Sequence, residues 1–152
     1  DDSFAILGPR QVDENNLITH AGIFGSNSEP KIRGWKEYDS GQYCDVRDDC
    51  VSVSGSAYFV KRHIWDEMTN DVVYQKVSGA KGAFLPTPHY YEETFCSYHA
   101  RKRGYKIVYF GNTLIYHLWH RSSPVGGEAE LKMPVSRELF RAACDEMNIE
   151  HD

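Results

Sequence analysis

The chain has 152 residues, which is the size of one compact domain and too short for two. Hydrophobic residues make up 41% of it and charged residues 26%, as in ordinary globular proteins, so a hydrophobic core is expected. The 22 acidic residues outnumber the 17 basic ones, and the resulting net charge of -5 disfavours a protein that binds a nucleic acid backbone.

The compartment can be predicted from two further features. No run of about 18 apolar residues occurs, so we expect no membrane span in this chain. Its four cysteines, Cys44, Cys50, Cys96 and Cys144, contain no CxxC pair and are too few for a disulfide scaffold. These features favour free thiols and a cytoplasmic location, although Cys44 and Cys50 could pair in an oxidising compartment.

The first third of the chain predicts two short strands and a long excursion. Four apolar residues at 4–7 are followed by Gly8-Pro9, which indicates a strand that ends there, and a second strand is expected over 19–24. Residues 25–49 are polar and glycine-rich without periodicity. We interpret them as a surface excursion, a long segment on the protein surface, which Trp35 and Tyr38 anchor to the rest of the domain.

The middle of the chain predicts one strand and two helices. Residues 51–60 alternate apolar and small side chains, with Gly55 marking a bulge or the close approach of another group. A short helix is expected over 62–68. Thr87 and Pro88 suit the cap and first turn of a second helix, which covers 90–103 and is closed by Gly104.

The last third predicts strands at 106–110 and 113–118 around a Gly111-Asn112 turn, a flexible loop over 118–133, and an amphipathic helix over 136–147. The fold class is therefore α/β, with one mixed sheet and flanking helices.

Glu92 and Glu93 are adjacent carboxylates in the first turn of the predicted helix. The helix dipole favours acids at this position, which is a complete structural explanation. Side chains of consecutive helical residues point about 100 degrees apart, so the two carboxylates have different surroundings. Glu93 shares its face with Ser97 and Ala100, small residues that let other groups approach, and general-base catalysis is the alternative interpretation.

A second group of polar residues follows the last predicted strand. His117 ends that strand, and Trp119 and His120 lead into the glycine-rich loop. Each is an ordinary structural residue by itself, but together they raise the chance of a site at the strand's carboxyl end. With Cys96 and His99, the two histidines would make a zinc site of non-standard spacing.

Three segments resemble family 2 glycosyltransferases of the GT-A fold. They are AILGPRQVDENNLITHAGIF, VSGSAYFVKRHIW and HYYEETFCSYHARKRGYKIVYFGNTLIYH, in the order that the family has them. The first is similar to the segment after the family's metal-binding turn. The third is similar to its acidic helix and final strand. The resemblance implies that residues 1–152 are one domain, the acceptor-side, C-terminal half of such a catalytic domain.

The resemblance also implies roles for individual residues. Glu93 occupies the place of the base that deprotonates the acceptor hydroxyl, with Glu92 beside it, and His117 that of a ligand to Mn²⁺ or Mg²⁺ on the donor. Ser54, Gly55 and Ser56 lie where sugars approach, and Tyr91, Trp119 and His120 are further candidate substrate contacts. The implied activity is inverting transfer from a nucleotide sugar to a glycan or other hydroxyl acceptor, as in polysaccharide biosynthesis.

The sequence departs from the family in two places. The family's next acid and its arginine are replaced by Phe95 and His99, a pair lost together. No Asp-x-Asp motif occurs, so the half that binds the nucleotide and the metal is expected in another segment or chain. The alternatives are a degenerate, non-catalytic module for glycan binding or assembly, and a small zinc-binding protein.

Overall fold

Six strands come first along the chain, followed by three helices, a seventh strand and a final helix. A computed structural model describes residues 3–78, 82–118 and 126–152. Their elements in chain order are β1 (Phe4–Val12), β2 (Ile18–His20), β3 (Ile23–Gly25), β4 (Pro30–Ile32), β5 (Val46–Cys50), β6 (Phe59–Val60), α1 (Arg62–Thr69), α2 (Val72–Ser78), α3 (Glu92–Lys102), β7 (Lys106–Tyr116) and α4 (Glu128–Glu146). The expected α/β class with a mixed sheet is confirmed.

The sheet is built around the parallel pair β1 and β7, which are 9 and 11 residues long. Strands β6 and β2 pair antiparallel with successive parts of one edge of β1, and β5 pairs antiparallel with β7. Strands β3 and β4 form a separate hairpin. Because β1 and β7 run in the same direction, residues that follow either strand emerge at the same end of the sheet.

Strand β1 continues through Gly8-Pro9, so the predicted end at residue 7 is wrong. Pro9 lies between the part of β1 that pairs with β6 and the part that pairs with β2. On the other edge, the register with β7 shifts between Pro9 and Arg10. A proline, which lacks an N–H, is tolerated at such irregular points of a sheet. The longer strand carries Gln11 and Val12 to the carboxyl end.

Strand β7 is also continuous, and the predicted Gly111-Asn112 turn is wrong. The Gly111 amide donates to the Asp45 carbonyl oxygen at 2.8 Å. A Cβ atom at Gly111 would lie 2.1 Å from the carbonyl oxygen of Tyr43. Glycine is therefore needed because the backbone before β5 crosses β7 here, and not because the chain reverses.

The excursion over 25–49 contains β4 and most of β5, which the sequence did not indicate. Tyr38 is 66% exposed, so it does not hold the segment down as expected, and Trp35 is also exposed. Tyr43 packs against the hydrophobic core instead, and polar contacts add to it. Arg10 pairs with Asp39 at 3.2 Å, and the amide of Asp39 donates to the carbonyl oxygen of Asn16 at 2.9 Å.

Helix α1 is confirmed, whereas α2 was not predicted. Helix α4 begins at Glu128, so the final helix is longer than expected and the loop prediction for 118–133 is wrong over its last six residues. Residues 119–125 of that loop lie outside the described part of the chain. Within the described ranges, no helix combines the length and the apolar character needed to cross a membrane.

Helix α3 lies between two hydrophobic clusters. Cys96 and Ala100 belong to the cluster that covers the sheet and α1. Phe95 and Tyr98 belong to the cluster shared with α2 and α4. Every residue from 95 to 100 is consequently buried. Burial on both sides fixes the position of the helix start, and of Glu92 and Glu93 with it.

The crossing at Gly111 gives the first prediction. Gly111→Ala should lower the free energy of unfolding by about 1–3 kcal/mol, because the new methyl group meets backbone that cannot rotate away. Gly104→Ala is the control, since Gly104 has a φ of +88° but no atom within 4 Å of the position that a methyl group would take; its loss should be about 1 kcal/mol, from backbone strain alone. Urea unfolding measures both, and a smaller loss at Gly111 would contradict the crossing.

Candidate functional site

The backbone before α3 takes an uncommon conformation. Tyr90 and Tyr91 have φ angles of 65° and 72°, in the left-handed region that residues other than glycine rarely occupy. Two such residues in succession store strain that the surrounding structure must support, a feature that clusters at functional sites. They turn the chain so that the helix starts at Glu92.

The prediction that Thr87 and Pro88 begin the helix is therefore wrong. Residues 87–91 are not helical, and the Thr87 hydroxyl is used in the turn. It lies 2.6 Å from the carbonyl oxygen of Tyr90 and 3.3 Å from Oε2 of Glu92. Thr87 thus supports the left-handed turn and one of the two carboxylates, rather than a helix cap.

Gly55 lies directly against Glu93. The segment predicted as one strand over 51–60 is instead a turn at residues 54–57, followed by β6. A Cβ atom at Gly55 would lie 3.1 Å from Cγ and Cδ of Glu93, and the Gly55 amide faces Glu93 Oε1 at 3.4 Å. The predicted close approach at Gly55 is confirmed, and the approaching group is the candidate base.

Burial raises the pKa of Glu93 from 4.5 to about 7, and the nearby charge of Glu92 adds to the effect. The backbone amides of Gly55 and Thr94 act in the opposite direction, because they stabilise the ionised carboxylate. Glu93 is only partly exposed to solvent. A carboxylate with a pKa near neutrality accepts and releases protons at physiological pH, as a general base must.

A hydroxyl network fixes the helix turn that carries Glu93. Ser97 donates to the carbonyl oxygen of Glu93 at 2.9 Å, and Tyr58 and Ser52 lie within 3.1 and 3.2 Å of the Ser97 hydroxyl. Burial keeps the pKa of Tyr58 well above its usual range, so its hydroxyl stays neutral. The small side chain of Ser97 admits both hydroxyl partners, as its place on the Glu93 face suggested.

On the other side of Gly55, three polar side chains form a chain of hydrogen bonds. Ser54 and Ser56 hydroxyl oxygens are 2.8 Å apart, and Ser56 donates to Oε1 of Gln11 at 2.6 Å. Gln11 is fully buried near the end of β1. The candidate substrate residues Ser54 and Ser56 are thus anchored to the sheet.

Gln11 and Tyr58 were missed by the sequence analysis. Gln11 lies beyond the first predicted strand, which was expected to end at residue 7. A glutamine near the end of a continuous β1 is the signal that would have identified it, since a buried amide requires a partner. Tyr58 lay within the predicted strand over 51–60. It instead follows the turn at residues 54–57, and its hydroxyl contacts that of Ser97.

Tyr91 contacts α4 rather than the Gly55 turn. Its ring lies 5.0 Å from that of Phe140, and its hydroxyl accepts a hydrogen bond from Arg137 at 3.1 Å. Tyr91 also lines a cavity of about 200 Å³ together with Ser52 and Thr94. These contacts explain Tyr91 structurally, and its role in substrate binding stays a prediction.

His117 follows β7 at the same end of the sheet as Gln11. Its amide donates to the carbonyl oxygen of Val12 at 2.8 Å, and Val12 follows Gln11, which contacts the turn beside Glu93. The backbone of His117 therefore lies next to the end of β1 that contacts the turn around Gly55. Trp119 and His120 lie outside the described residues, so their predicted contacts stay predictions.

The described residues do not by themselves fit a metal. Over 3–78, 82–118 and 126–152, no three His, Cys, Asp or Glu side chains are grouped so that they could hold an ion. Cys96 and His99, the helical members of the zinc hypothesis, are buried in separate surroundings. Burial raises the pKa of Cys96 to about 12 and lowers that of His99 to about 4. All four cysteines are free.

Phe95 and His99 form an aromatic cluster with Tyr74. The rings of Phe95 and His99 lie 5.6 and 5.3 Å from the ring of Tyr74, and each stacks with it. His99 also lies 3.7 Å from the Asp71 carboxylate. Phe95 and His99 thus contribute to the packing around α2.

Neither a protein-family model, nor a curated protein, nor a solved structure matches this chain.

The raised pKa of Glu93 gives the second prediction. The folded state prefers the neutral carboxyl, so this preference stabilises the protein below pH 4.5 and is lost as the pH rises through about 7. Glu93→Gln lacks this titration. We expect the melting temperature of the wild-type protein, relative to Glu93→Gln, to fall between pH 4.5 and 7 and then to level off.

Glu92→Gln is the matched variant for this experiment. Removing the Glu92 charge should lower the pKa of Glu93 and shift the stability loss towards lower pH. A melting-temperature difference between wild type and Glu93→Gln that does not change with pH would show that the carboxylate is not held as described.

Proposed function

We propose that this chain supplies the acceptor side of an inverting glycosyltransferase of the GT-A type, with Glu93 as general base. The observation that carries the proposal is the contact between Glu93 and Gly55, which combines a pKa of about 7 with partial exposure. The resemblance of three ordered segments to family 2 glycosyltransferases supplies the reaction class.

The reaction assigns one proton to Glu93. Its ionised carboxylate takes the proton of an acceptor hydroxyl, and the oxygen attacks the anomeric carbon of the donor sugar. The bond from that carbon to the nucleotide diphosphate breaks, and the diphosphate leaves with the electron pair. Attack from the side opposite the leaving group inverts the configuration.

The helix-dipole interpretation accounts for less of the site. A carboxylate that only stabilised the helix start would be best left in water, where the dipole and the free amides lower its pKa. Glu93 is instead pressed against Gly55, where burial outweighs the amides. Burying an ionisable carboxyl lowers the stability of the folded protein. Catalytic acids and bases typically carry this cost while staying accessible to substrate.

The nucleotide-sugar donor is bound by residues other than those around Glu93 and Gly55. The sequence has no Asp-x-Asp motif, and His117 has no grouped metal ligands among the described residues. We therefore propose that a nucleotide-binding half, in the same or another chain, holds the donor with its Mn²⁺ or Mg²⁺. His117, at the carboxyl end of the sheet, is the residue that would face it.

The third prediction concerns turnover in the polypeptide that carries both halves. Glu93→Gln should reduce the transfer rate by about 10²- to 10⁴-fold, because glutamine keeps the shape of glutamate but accepts no proton. Glu92→Gln should reduce it less and shift the pH–rate profile to lower pH, since it lowers the pKa of the base. Single-turnover measurements with UDP-, GDP- and dTDP-sugars across pH 5–9 test this.

The exposed Glu138 on α4 provides a control, since Glu138→Gln should leave the transfer rate unchanged. Normal turnover in Glu93→Gln would remove Glu93 as the base. Failure of the wild-type protein to transfer any sugar would favour the alternative, a degenerate module that binds or assembles glycans without catalysis.

A further inference from the structure

The hydrogen bonds beside Gly55 have a fixed direction. The Oε1 atom of Gln11 can only accept, so Ser56, 2.6 Å away, donates its single hydroxyl hydrogen to it. The contact of 2.8 Å between Ser54 and Ser56 then requires Ser54 to be the donor. Ser54 has no further hydrogen to give, and its oxygen is left as a hydrogen-bond acceptor.

Ionised Glu93 is an acceptor as well. The backbone donor of the adjacent turn, the amide of Gly55, already faces Oε1 of Glu93. Ser54 is partly exposed and Gly55 and Ser56 are exposed, so ligands can reach the turn. Ser54, the chain neighbour of Gly55, and Glu93, which Gly55 contacts, therefore both offer acceptors to a ligand that brings hydrogen-bond donors.

We propose that Gln11, Ser56 and Ser54 form a relay that makes Ser54 a binding site for a second hydroxyl of the acceptor, close to the hydroxyl that Glu93 deprotonates. The preferred substrate is thus a neutral polyol with neighbouring hydroxyl groups. Anions such as phosphate are rejected, because most of their oxygens only accept hydrogen bonds and their negative charge is repelled by ionised Glu93. This inference rests on the proposed function for the role of Glu93.

Gln11 is the residue that sets the direction of the relay. It is 0% exposed, so its amide cannot turn freely in solvent. Its Nε2 atom has no hydrogen-bond partner among the described residues. The one hydrogen bond of the Gln11 side chain to the turn is therefore the one that its Oε1 accepts from Ser56. Anchoring Ser56 gives it a function in ligand selection.

Binding can be measured with defined probes at pH 8, where Glu93 is ionised. The probes are methyl α-D-glucopyranoside, tetrahydropyran-2-methanol, which has a similar ring but one hydroxyl, and inorganic phosphate. We expect the glucoside alone to give saturable shifts of the Gly55 and Ser56 amide signals in ¹⁵N NMR spectra. Ser54→Ala should weaken glucoside binding about 2- to 10-fold, for one lost hydrogen bond.

Two variants separate the relay from a general structural effect. Ser54→Thr keeps the hydroxyl and should restore binding, whereas Ser40→Ala, at an exposed serine of the loop before β5, should have no effect. Phosphate binding at the turn, equal binding of the single-hydroxyl probe, or no response to the glucoside would each overturn the relay.

The outcome is independent of turnover. Glucoside binding that depends on Ser54, together with normal transfer by Glu93→Gln, would support the relay and remove Glu93 as the base. Loss of transfer in Glu93→Gln, together with phosphate binding at Gly55, would support the base and remove the relay.

Discussion

The missing side chain at Gly55 is the constraint on which the candidate site depends. It allows the turn at residues 54–57 to press against Glu93, with Cγ and Cδ of the glutamate 3.1 Å from where a Cβ atom would be. Burial at this place, together with the charge of Glu92, raises the pKa of the carboxylate to about 7. The same turn presents Ser54 and Ser56 on either side of Gly55, so one residue couples the candidate base to its neighbouring polar groups.

The turn and the carboxylate are positioned by opposite parts of the fold. Helix α3 is buried between two hydrophobic clusters, which leaves its first turn little freedom. The turn is tied to β1 by the bond from Ser56 to Gln11. Because β1 and β7 are parallel, Gln11 and His117 emerge at one end of the sheet. Tyr90 and Tyr91 have strained, left-handed backbone conformations, and the packing around α3 must stabilise them.

Local sequence patterns identified part of this arrangement. The helix over 62–68, the end of α3 at Gly104 and the close approach at Gly55 follow from cues within a few residues, such as cationic last turns and isolated glycines. The continuity of β1 through Pro9 and of β7 through Gly111 could not be found in this way. Each depends on segments distant in the sequence, β6 and β7 for Pro9 and the backbone before β5 for Gly111.

The candidate site residues also divide into those that sequence cues indicate and those that depend on contacts between distant segments. Glu93 became a candidate from its place on the helix face with Ser97 and Ala100, and the resemblance to ordered family segments added Ser54 and Ser56. Gln11 was not identified, because its importance comes from burial and from one partner 45 residues away. The start of α3 was misplaced for a similar reason, since Thr87 has the chemistry of a helix cap but bonds to the strained turn at Tyr90.

The central claim is that Gly55 and its surroundings hold Glu93 as a base poised near neutral pH. The most direct test is the titration of the Glu93 side-chain carboxyl carbon by NMR, with Glu93→Gln used to assign the signal. The account predicts a midpoint at about pH 7, and a lower one in Glu92→Gln, where a neighbouring negative charge is gone. A midpoint near the ordinary value of 4.5 in the wild-type protein would contradict it.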